Sequence, residues 1–355
     1  MSHLKPKVAI IIKRYPFGGA ERQAKELYIG LKNNQYEVNL ISIEGKSSYK
    51  DDNIYIIGLN KRLTGLGYTP SKVINNFNLY YNLYKLIYGN YDCVITFVQL
   101  YPLGFLFSSL KTIISIRMFY PNSITKIKRF LLKRFNLVVS NNLPQYSLLH
   151  AIGVKSILVN NIVNQSDSKN IPRKSGEAIR FLVVSNYSKR KNIITILKAF
   201  KRLDLDKYSL TIIGEFPEYS ILNKYKNNAN IFFTGHIVQQ EIEKYYMNSD
   251  CLIHASFREG CANAILDAMR FKLPVIASNI PENISLIGNN QFFLFDPNSF
   301  EDLSRKINAF SYFINENELL NNYLEYQYLK IEYDYDVKNN EYLIEEIRNC
   351  VKSIN

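Results

Sequence analysis

Cysteine is scarce in this 355-residue sequence: Cys93, Cys251, Cys261 and Cys350 are the only four, and no two form a C-x-x-C pair. No histidine stands at metal-ligand spacing, so the pattern excludes a zinc module and a dithiol redox motif and reads as reduced cytosolic thiols. Long apolar runs are also lacking. The apolar stretch at residues 8–12 lies between Lys7 and Lys13 and is too short for a signal-peptide core, which argues against export. Residues 93–110 carry no charge, but Gln99, Pro102 and Gly104 interrupt them, and they read as a strand, a turn at Tyr101-Pro102 and a short apolar helix rather than a membrane span.

Acidic residues are scarce in the first half. Residues 1–175 hold 24 Lys and Arg against 8 Asp and Glu, a net charge of +16, whereas the remainder holds 20 against 23, a net charge of −3. Such asymmetry suggests that one half faces a polyanion, either nucleic acid or an anionic membrane. What is abundant is apolar and aromatic: 47% hydrophobic residues with 27 Tyr and 21 Phe exclude disorder, and the length suits two domains, each with its own core.

The basic excess is densest at residues 123–135, SITKIKRFLLKRF, where Lys126, Lys128, Arg129, Lys133 and Arg134 interleave with apolar residues. Ile124, Ile127, Leu131 and Phe135 fall on one helical stripe, with most of the cations off it and Phe130 and Leu132 free to dip among lipid headgroups. This is the pattern of a helix lying on an anionic bilayer and equally that of a packed helix with a wet basic face.

The chain opens as strand (7–13), Gly18-Gly19 loop, helix (20–33) and strand (36–43), a βαβ unit that implies a parallel sheet. Similar strands recur near residues 93–97, 112–116 and 137–140. Residues 166–177 are polar with Pro and Gly, as a linker is. The alternation then restarts: strand FLVVS, helix 192–203, strand SLTIIG, a helix near Ile221, strand IFFTG, helix 240–248 and strand CLIHAS. The expected fold is therefore α/β, two doubly wound Rossmann-like domains (1–165 and 178–355) facing a central cleft, with the last helix able to cross back to the first domain. Ligands in such sheets sit beyond the carboxyl ends of the strands. Asp204-Leu205-Asp206 reads as a helix-to-strand turn and Asp334-Tyr335-Asp336 as the start of the last helix, so no metal is expected at either.

Residues 250–278, DCLIHASFREGCANAILDAMRFKLPVIAS, carry the most chemistry. They read as a buried strand, a loop ending in Glu259-Gly260, a helix over 262–271 and a second apolar strand. Gly260 lets the backbone approach a ligand at the helix mouth, which suits anionic or hydroxyl-rich groups. Asp267 lies eight residues on, roughly 12 Å at helical rise, too far from Glu259 to share a proton or metal but suited to holding the other end of an elongated polar ligand. A nucleotide sugar has that shape. Taken alone, Glu259 reads equally as a carboxylate facing a helix dipole and Lys191 as a solvated helix-start lysine. His236 and His254 read as strand-end residues rather than bases.

This stretch resembles the retaining glycosyltransferases of family 4, of GT-B type, whose signature is S-x-x-E-G-x6-E-A-M-x-x-G-x-P-V-I-A. The match runs through Ser256, Glu259, Gly260, Asp267, Ala268, Met269, Pro274, Val275, Ile276 and Ala277. Gly18-Gly19-Ala20-Glu21 resembles the family's G-G-A-E loop, Asn160-Asn161 the asparagine that ends its first domain, and Lys191-Asn192 its donor-phosphate site; Gly214 and Gly235 fit the following strand ends. The resemblance implies that Glu259 binds the donor-sugar hydroxyls with the backbone of Gly260, Cys261 and Ala262. Asp267 would hold the ribose, Lys191 the diphosphate, and Gly18 and Gly19 would approach the same phosphates from the other domain. A departing diphosphate gains charge, so fixed N–H groups and cations aimed at it lower the barrier.

Three departures stand out. Asp267 replaces the usual Glu, Asn186 replaces an arginine at the phosphate site that Arg190 is placed to supply, and Lys272 stands where the family has glycine after the helix. The expected activity is retaining transfer of a hexosyl or N-acetylhexosaminyl unit from a nucleotide-diphosphate sugar, UDP favoured, to a lipid-linked saccharide in surface polysaccharide (O-antigen or capsule) synthesis. No cofactor and no metal are expected. The partners are the donor, the acceptor and an anionic membrane surface, with the protein peripheral at the inner face of the cytoplasmic membrane. Arg117, Lys128, Arg129, Lys133 and Arg134 are placed on the acceptor or membrane side. The alternatives are a nucleotide-sugar epimerase of the same fold and, more remotely, a nucleic-acid-binding protein, for which no recognition module is present.

Overall fold

The computed structural model describes residues 5–14, 18–44, 49–51, 54–58, 70–107, 109–118, 125–163, 177–204, 206–216, 225, 230–314, 317–336 and 338–352. Of the expected linker at 166–177 all but Glu177 lies outside them, as does the helix near Ile221. The chain divides into two units, Met1–Ile162 with Val337–Asn355, and Val163–Asp336.

The first unit runs β1 (Lys7–Arg14), α1 (Gly19–Asn33), β2 (Glu37–Glu44), β3 (Tyr49–Asp51), β4 (Ile54–Gly58), α2 (Pro70–Ile87), β5 (Cys93–Thr96), α3 (Leu103–Leu106), β6 (Lys111–Ile116), α4 (Lys126–Leu132), β7 (Leu137–Ser140), α5 (Leu143–Ala151) and β8 (Ser156–Leu158). Its sheet has the order β3-β4-β2-β1-β5-β6-β7-β8, and every pairing is parallel except β3 with β4. β1 is central and buried on both faces, which is why it reads as an unbroken apolar run. Val8, Ile10 and Ile12 point to one layer, with Leu27 and Leu31 of α1; Ala9 and Ile11 point to the other, with Leu79 and Leu83 of α2, Leu103 of α3, Leu132 of α4 and Leu149 of α5.

The second unit runs β9 (Ile179–Val184), α6 (Ile193–Phe200), β10 (Tyr208–Ile213), β11 (Ile231–Gly235), α7 (Gln239–Met247), β12 (Cys251–His254), α8 (Asn263–Arg270), β13 (Val275–Ser278), α9 (Pro281–Ile287), β14 (Leu294–Phe295), α10 (Phe300–Phe313) and α11 (Asn317–Asp334). Its six strands are all parallel, in the order β11-β10-β9-β12-β13-β14. The order reverses between β9 and β12, so the loops after these two strands flank the topological switch point where open α/β sheets bind ligands.

The last helix, α12 (Lys338–Lys352), belongs to the first unit: Leu343, Ile344 and Ile347 join the α1 layer, and Asn340 Nδ2 donates to the Glu26 carbonyl at 3.0 Å. Gly30 permits this approach, since a Cβ there would stand 2.9 Å from Ile344 Cδ1. Asp334 ends α11 instead of starting the last helix, which begins only at Lys338. Asp204 does sit in the expected turn, its Oδ1 accepting from Asp206 N at 3.2 Å. No helix among the described residues is long and apolar enough to cross a membrane.

Candidate active site

Two loops meet at the switch point of the second unit. After β9 the chain makes one 3-10 turn, Lys189–Lys191, capped by Ser188, whose Oγ accepts from Lys191 N at 3.3 Å. Asn192 then takes a left-handed conformation (φ 54°), which Asn tolerates better than most residues and which turns the chain into α6. Its side chain fastens this turn to the neighbouring strands, because Nδ2 donates to the carbonyls of Ala255 (3.2 Å) and Pro297 (2.7 Å) while Oδ1 accepts from Thr195 (2.8 Å). The loop after β12 carries Glu259, and the two loops are stitched by Phe257 N to the Arg190 carbonyl at 2.9 Å and by Arg190 Nη1 to the Arg258 carbonyl at 2.8 Å.

Glu259 is the centre of the arrangement. Its carboxylate is 6% exposed; Oε1 accepts from Lys191 Nζ at 2.7 Å and from His254 Nε2 at 3.1 Å, and Oε2 lies 2.9 Å from Arg190 Nη1. Burial by itself raises a carboxyl, but the charge of Lys191, the bond from His254 and the charge of Arg190 outweigh it and hold Glu259 well below the usual carboxylate range. Burial pushes the His254 imidazole down against the pull of Glu259, so it is neutral and donates from Nε2. Glu282, in the first turn of α9, has its carboxyl raised by burial and by the charge of Glu259, and bonds the Glu259 backbone. One carboxylate beside a lysine and an arginine leaves a positive cradle beside a hydrogen-bond acceptor, which is what an anionic, hydroxyl-bearing ligand requires.

The expected site residues Glu259, Lys191 and Arg190 thus lie together, and His254 and Glu282, which no motif marks, join them. His254 ends a strand like many histidines; the turn of the loop after β12 brings Glu259, five residues on, back to its ring. The helix α8 begins at Asn263, one residue later than expected, with Ala262 as N-cap offering no side-chain hydrogen bond. Glu259 thus precedes the helix, and only the step from Asn263 to Asp267 is helical. Asp267 is buried in the second turn of α8, and Gly260 is buried while Cys261 is partly exposed. Asn186 is exposed, and its Oδ1 accepts from Glu215 N at 2.9 Å, tying the loop after β9 to that after β10. Gly214 is needed at this crossing: with φ 148°, a Cβ would stand 2.1 Å from the Ser185 carbonyl oxygen. No group of three or more His, Cys, Asp or Glu among the described residues is placed to share a metal.

In the first unit, Gly18 (φ 94°) is the N-cap of α1, which opens at Gly19. Arg117, at the end of β6, donates from Nη1 to Asn161 Oδ1 at 2.7 Å and lies over the Phe97 ring at 4.8 Å. The basic helix differs from its expected phase. α4 starts after the cap Thr125; Ile124 lies outside the described residues, and Ile127, on the expected apolar stripe, is 60% exposed. Leu132, expected at the lipid face, is in the core with Phe135. Lys126, Arg129, Lys133 and Arg134 are exposed and Lys128 is half-buried.

Residues 164–329 match the family model of Glycosyl transferases group 1. Among curated relatives, the chain is 26% identical over 173 residues to an uncharacterized 41.2 kDa protein in the cps region of Klebsiella pneumoniae, covering 45% of this chain and 48% of that one. It is 24% identical over 134 residues to O-antigen chain mannosyltransferase B of Escherichia coli, covering 36% and 35%. The chain thus spans half or less of the length of these relatives. Among solved structures, sucrose-phosphate synthase from Thermosynechococcus elongatus superposes with a TM-score of 0.77 at 14% identity, covering 99% and 100%. HepE of Anabaena, in complex with UDP-glucose, superposes with 0.72 at 14%, covering 97% and 99%. At these identities the likeness shows the fold, two Rossmann-like units of GT-B type, and the group 1 match covers the part that holds Lys191, Glu259 and Asp267.

Proposed function

We propose that the protein is a retaining glycosyltransferase that moves a hexosyl or N-acetylhexosaminyl unit from a UDP-sugar to a lipid-linked saccharide during surface polysaccharide synthesis. The observation that carries this reading is the buried Glu259 carboxylate held by Lys191 and Arg190 at the switch point of the second unit. The group 1 match over these residues supports it, and the UDP-glucose in HepE and the mannosyltransferase relative support the donor and acceptor classes.

In this reading Glu259 accepts hydrogen bonds from the donor-sugar hydroxyls, joined by the backbone of Gly260, Cys261 and Ala262, and Asp267 holds the ribose. Lys191 and Arg190 turn part of their charge from Glu259 to the diphosphate. As the bond from the anomeric carbon to the diphosphate breaks, the bond to the acceptor oxygen forms on the same face, and a departing phosphate oxygen takes the acceptor proton. The chain needs to supply no nucleophile for this route; its cations stabilise the growing charge of the leaving group. Arg117 faces the acceptor, and the cations of α4 face an anionic membrane surface at the inner side of the cytoplasmic membrane.

The test is release of nucleotide from a panel of sugar nucleotides, with and without lipid-linked glycans. Acceptor-dependent release is expected, abolished by Glu259→Ala and lowered on the order of 10²-fold by Lys191→Ala. Release or isomerisation that ignores the acceptor points to an epimerase, and a folded Glu259→Ala protein with unchanged turnover removes this site.

A further inference from the structure

The helix α2 carries an aromatic ridge that the cores of the protein leave out. Phe77, Tyr81, Tyr84 and Tyr88 follow one another at i, i+4, i+7 and i+11, which puts them on one narrow face, and each is between 37% and 68% exposed. The opposite face of the same helix buries Leu79, Leu83 and Ile87 against the sheet. Four large rings on the solvent side of one helix are not scattered exposure of the ordinary kind. Tyr84 and Tyr88 stack at 4.9 Å, and Lys85 lies 4.8 Å over Tyr81, so the ridge is ordered within itself.

The ridge continues toward α4. Tyr84 stacks with Phe107 just after α3 at 6.1 Å, and α3 in turn lies against the end of α4, where a Cβ at Gly104 would stand 3.1 Å from Arg134 Cβ. Along this layer Leu106, Ile127 and Phe130 are also exposed, with Arg134 over the Phe130 ring at 4.9 Å. The charge on this part of the chain has one sign: between Asn53 and Ser166 stand twelve Lys and Arg and a single acidic residue, Asp92. Its Oδ2 accepts from the backbone N–H of Lys7 at 2.7 Å.

We propose that the outward face of the α2, α3 and α4 layer seats on an anionic phospholipid bilayer, with the α2 ridge in the headgroup region and the α4 cations on the lipid phosphates. The inference rests on the membrane part of the function proposed above and assigns the apolar half of the contact to α2. Tyr and Phe suit this depth because one end of the ring is wet and the other apolar, while the flanking cations answer the lipid charge. A nucleic acid would be met by the same charge, but it needs bases stacked on rings within a groove, and these rings form a convex helix face.

The sequence contains no tryptophan, so one substitution makes a single-fluorophore protein. Phe77→Trp and Tyr88→Trp report the ridge, and Tyr312→Trp, on α10, reports an exposed site of the second unit. With vesicles of phosphatidylcholine and phosphatidylglycerol, the first two are expected to shift to the blue and to be quenched by bromine-labelled acyl chains, and the third is not. The double change Phe77→Ser and Tyr88→Ser is expected to weaken vesicle binding about tenfold while binding of UDP in solution is unchanged. Vesicle binding with unquenched Trp at 77 and 88 overturns the ridge and leaves the membrane reading standing. No binding to anionic vesicles overturns both. A blue shift without vesicles that grows with protein concentration assigns the ridge to a contact between copies and overturns the proposal.

Discussion

His254 donates from Nε2 to Oε1 of Glu259 across 3.1 Å, and both side chains are nearly closed to solvent. The imidazole therefore fixes the rotamer of the carboxylate from behind, on the oxygen that Lys191 also reaches. Replacing it with leucine leaves that oxygen one donor short, and His254→Leu is expected to lower turnover about tenfold with a smaller change in donor KM. His254→Gln, which keeps a donor, should recover part of the loss. Equal kinetics in all three proteins would show that His254 only fills space.

The same ring makes stability depend on pH. Its folded-state pKa lies below the ordinary value of 6.5, so between the two the unfolded chain binds the proton and the folded one does not. Stability contributed by the neutral ring is thus lost as pH falls below about 6.5. Glu259, held well below 4.5, keeps its contribution above that pH and loses it only as pH falls through its own lowered value. The melting temperature of His254→Gln should vary less with pH between 5 and 7 than that of the parent protein.

Glu21 works in the opposite direction. Burial raises its carboxyl to about 7, against the backbone hydrogen bonds at Glu21 and Arg14 and the charge of Lys13. A raised carboxyl favours folding below its unfolded value near 4.5, and that advantage is lost as pH rises through about 7. Glu21→Gln should therefore raise the melting temperature at pH 8 by a few degrees, on the order of 1 kcal/mol, and hardly change it at pH 4.5. An equal shift at both pH values would mean that the carboxyl titrates normally.

Lys272 occupies a left-handed conformation (φ 51°) after α8, where Leu273 N reaches the Ala268 carbonyl at 2.9 Å and Lys272 N the Met269 carbonyl at 3.0 Å. This helix end favours glycine, and a side chain there costs about 1 kcal/mol. Lys272→Gly relieves that cost but gives up the half-exposed pair with Glu325 at 2.8 Å, worth a few tenths of a kcal/mol. A calorimetric comparison should find Lys272→Gly more stable than Lys272→Ala, which loses the pair without the relief.

Gln327, on α11, is fully buried, and neither its Nε2 nor its Oε1 has a hydrogen-bond partner among the described residues. Methionine has nearly the same shape without the unmet polar atoms, so Gln327→Met is expected to stabilise the protein by about 1–2 kcal/mol. Chemical denaturation gives the answer directly, and a loss of stability would show that the amide is bonded in solution.

Much of the design is local and was therefore legible in the residues. The apolar runs of β1 and β9, the glycines and small turns after them, and the order of Gly18, Lys191, Glu259 and Asp267 along the chain are enough to imply two parallel sheets and to mark which loops carry chemistry. Short-range rules set these features: a strand buried on both faces is apolar throughout, and a loop at a strand end must turn within a few residues.

What the tertiary structure decided are the meetings of residues far apart in sequence. Lys191 and Glu259 are 68 residues apart, and Asn340 and Glu26 are 314 apart. Lys191 gains its partner only because β12 lies beside β9, and α12 joins the first unit only because Gly30 admits it. The phase of α4 is likewise set by tertiary contact. In a helix of seven residues the periodic pattern is too short to choose a buried face, so contact with the sheet chose Leu132 and left Ile127 in solvent. Spacing along a chain limits which side chains share a face, but burial and pairing free energies arise between elements, and those decide which face is used.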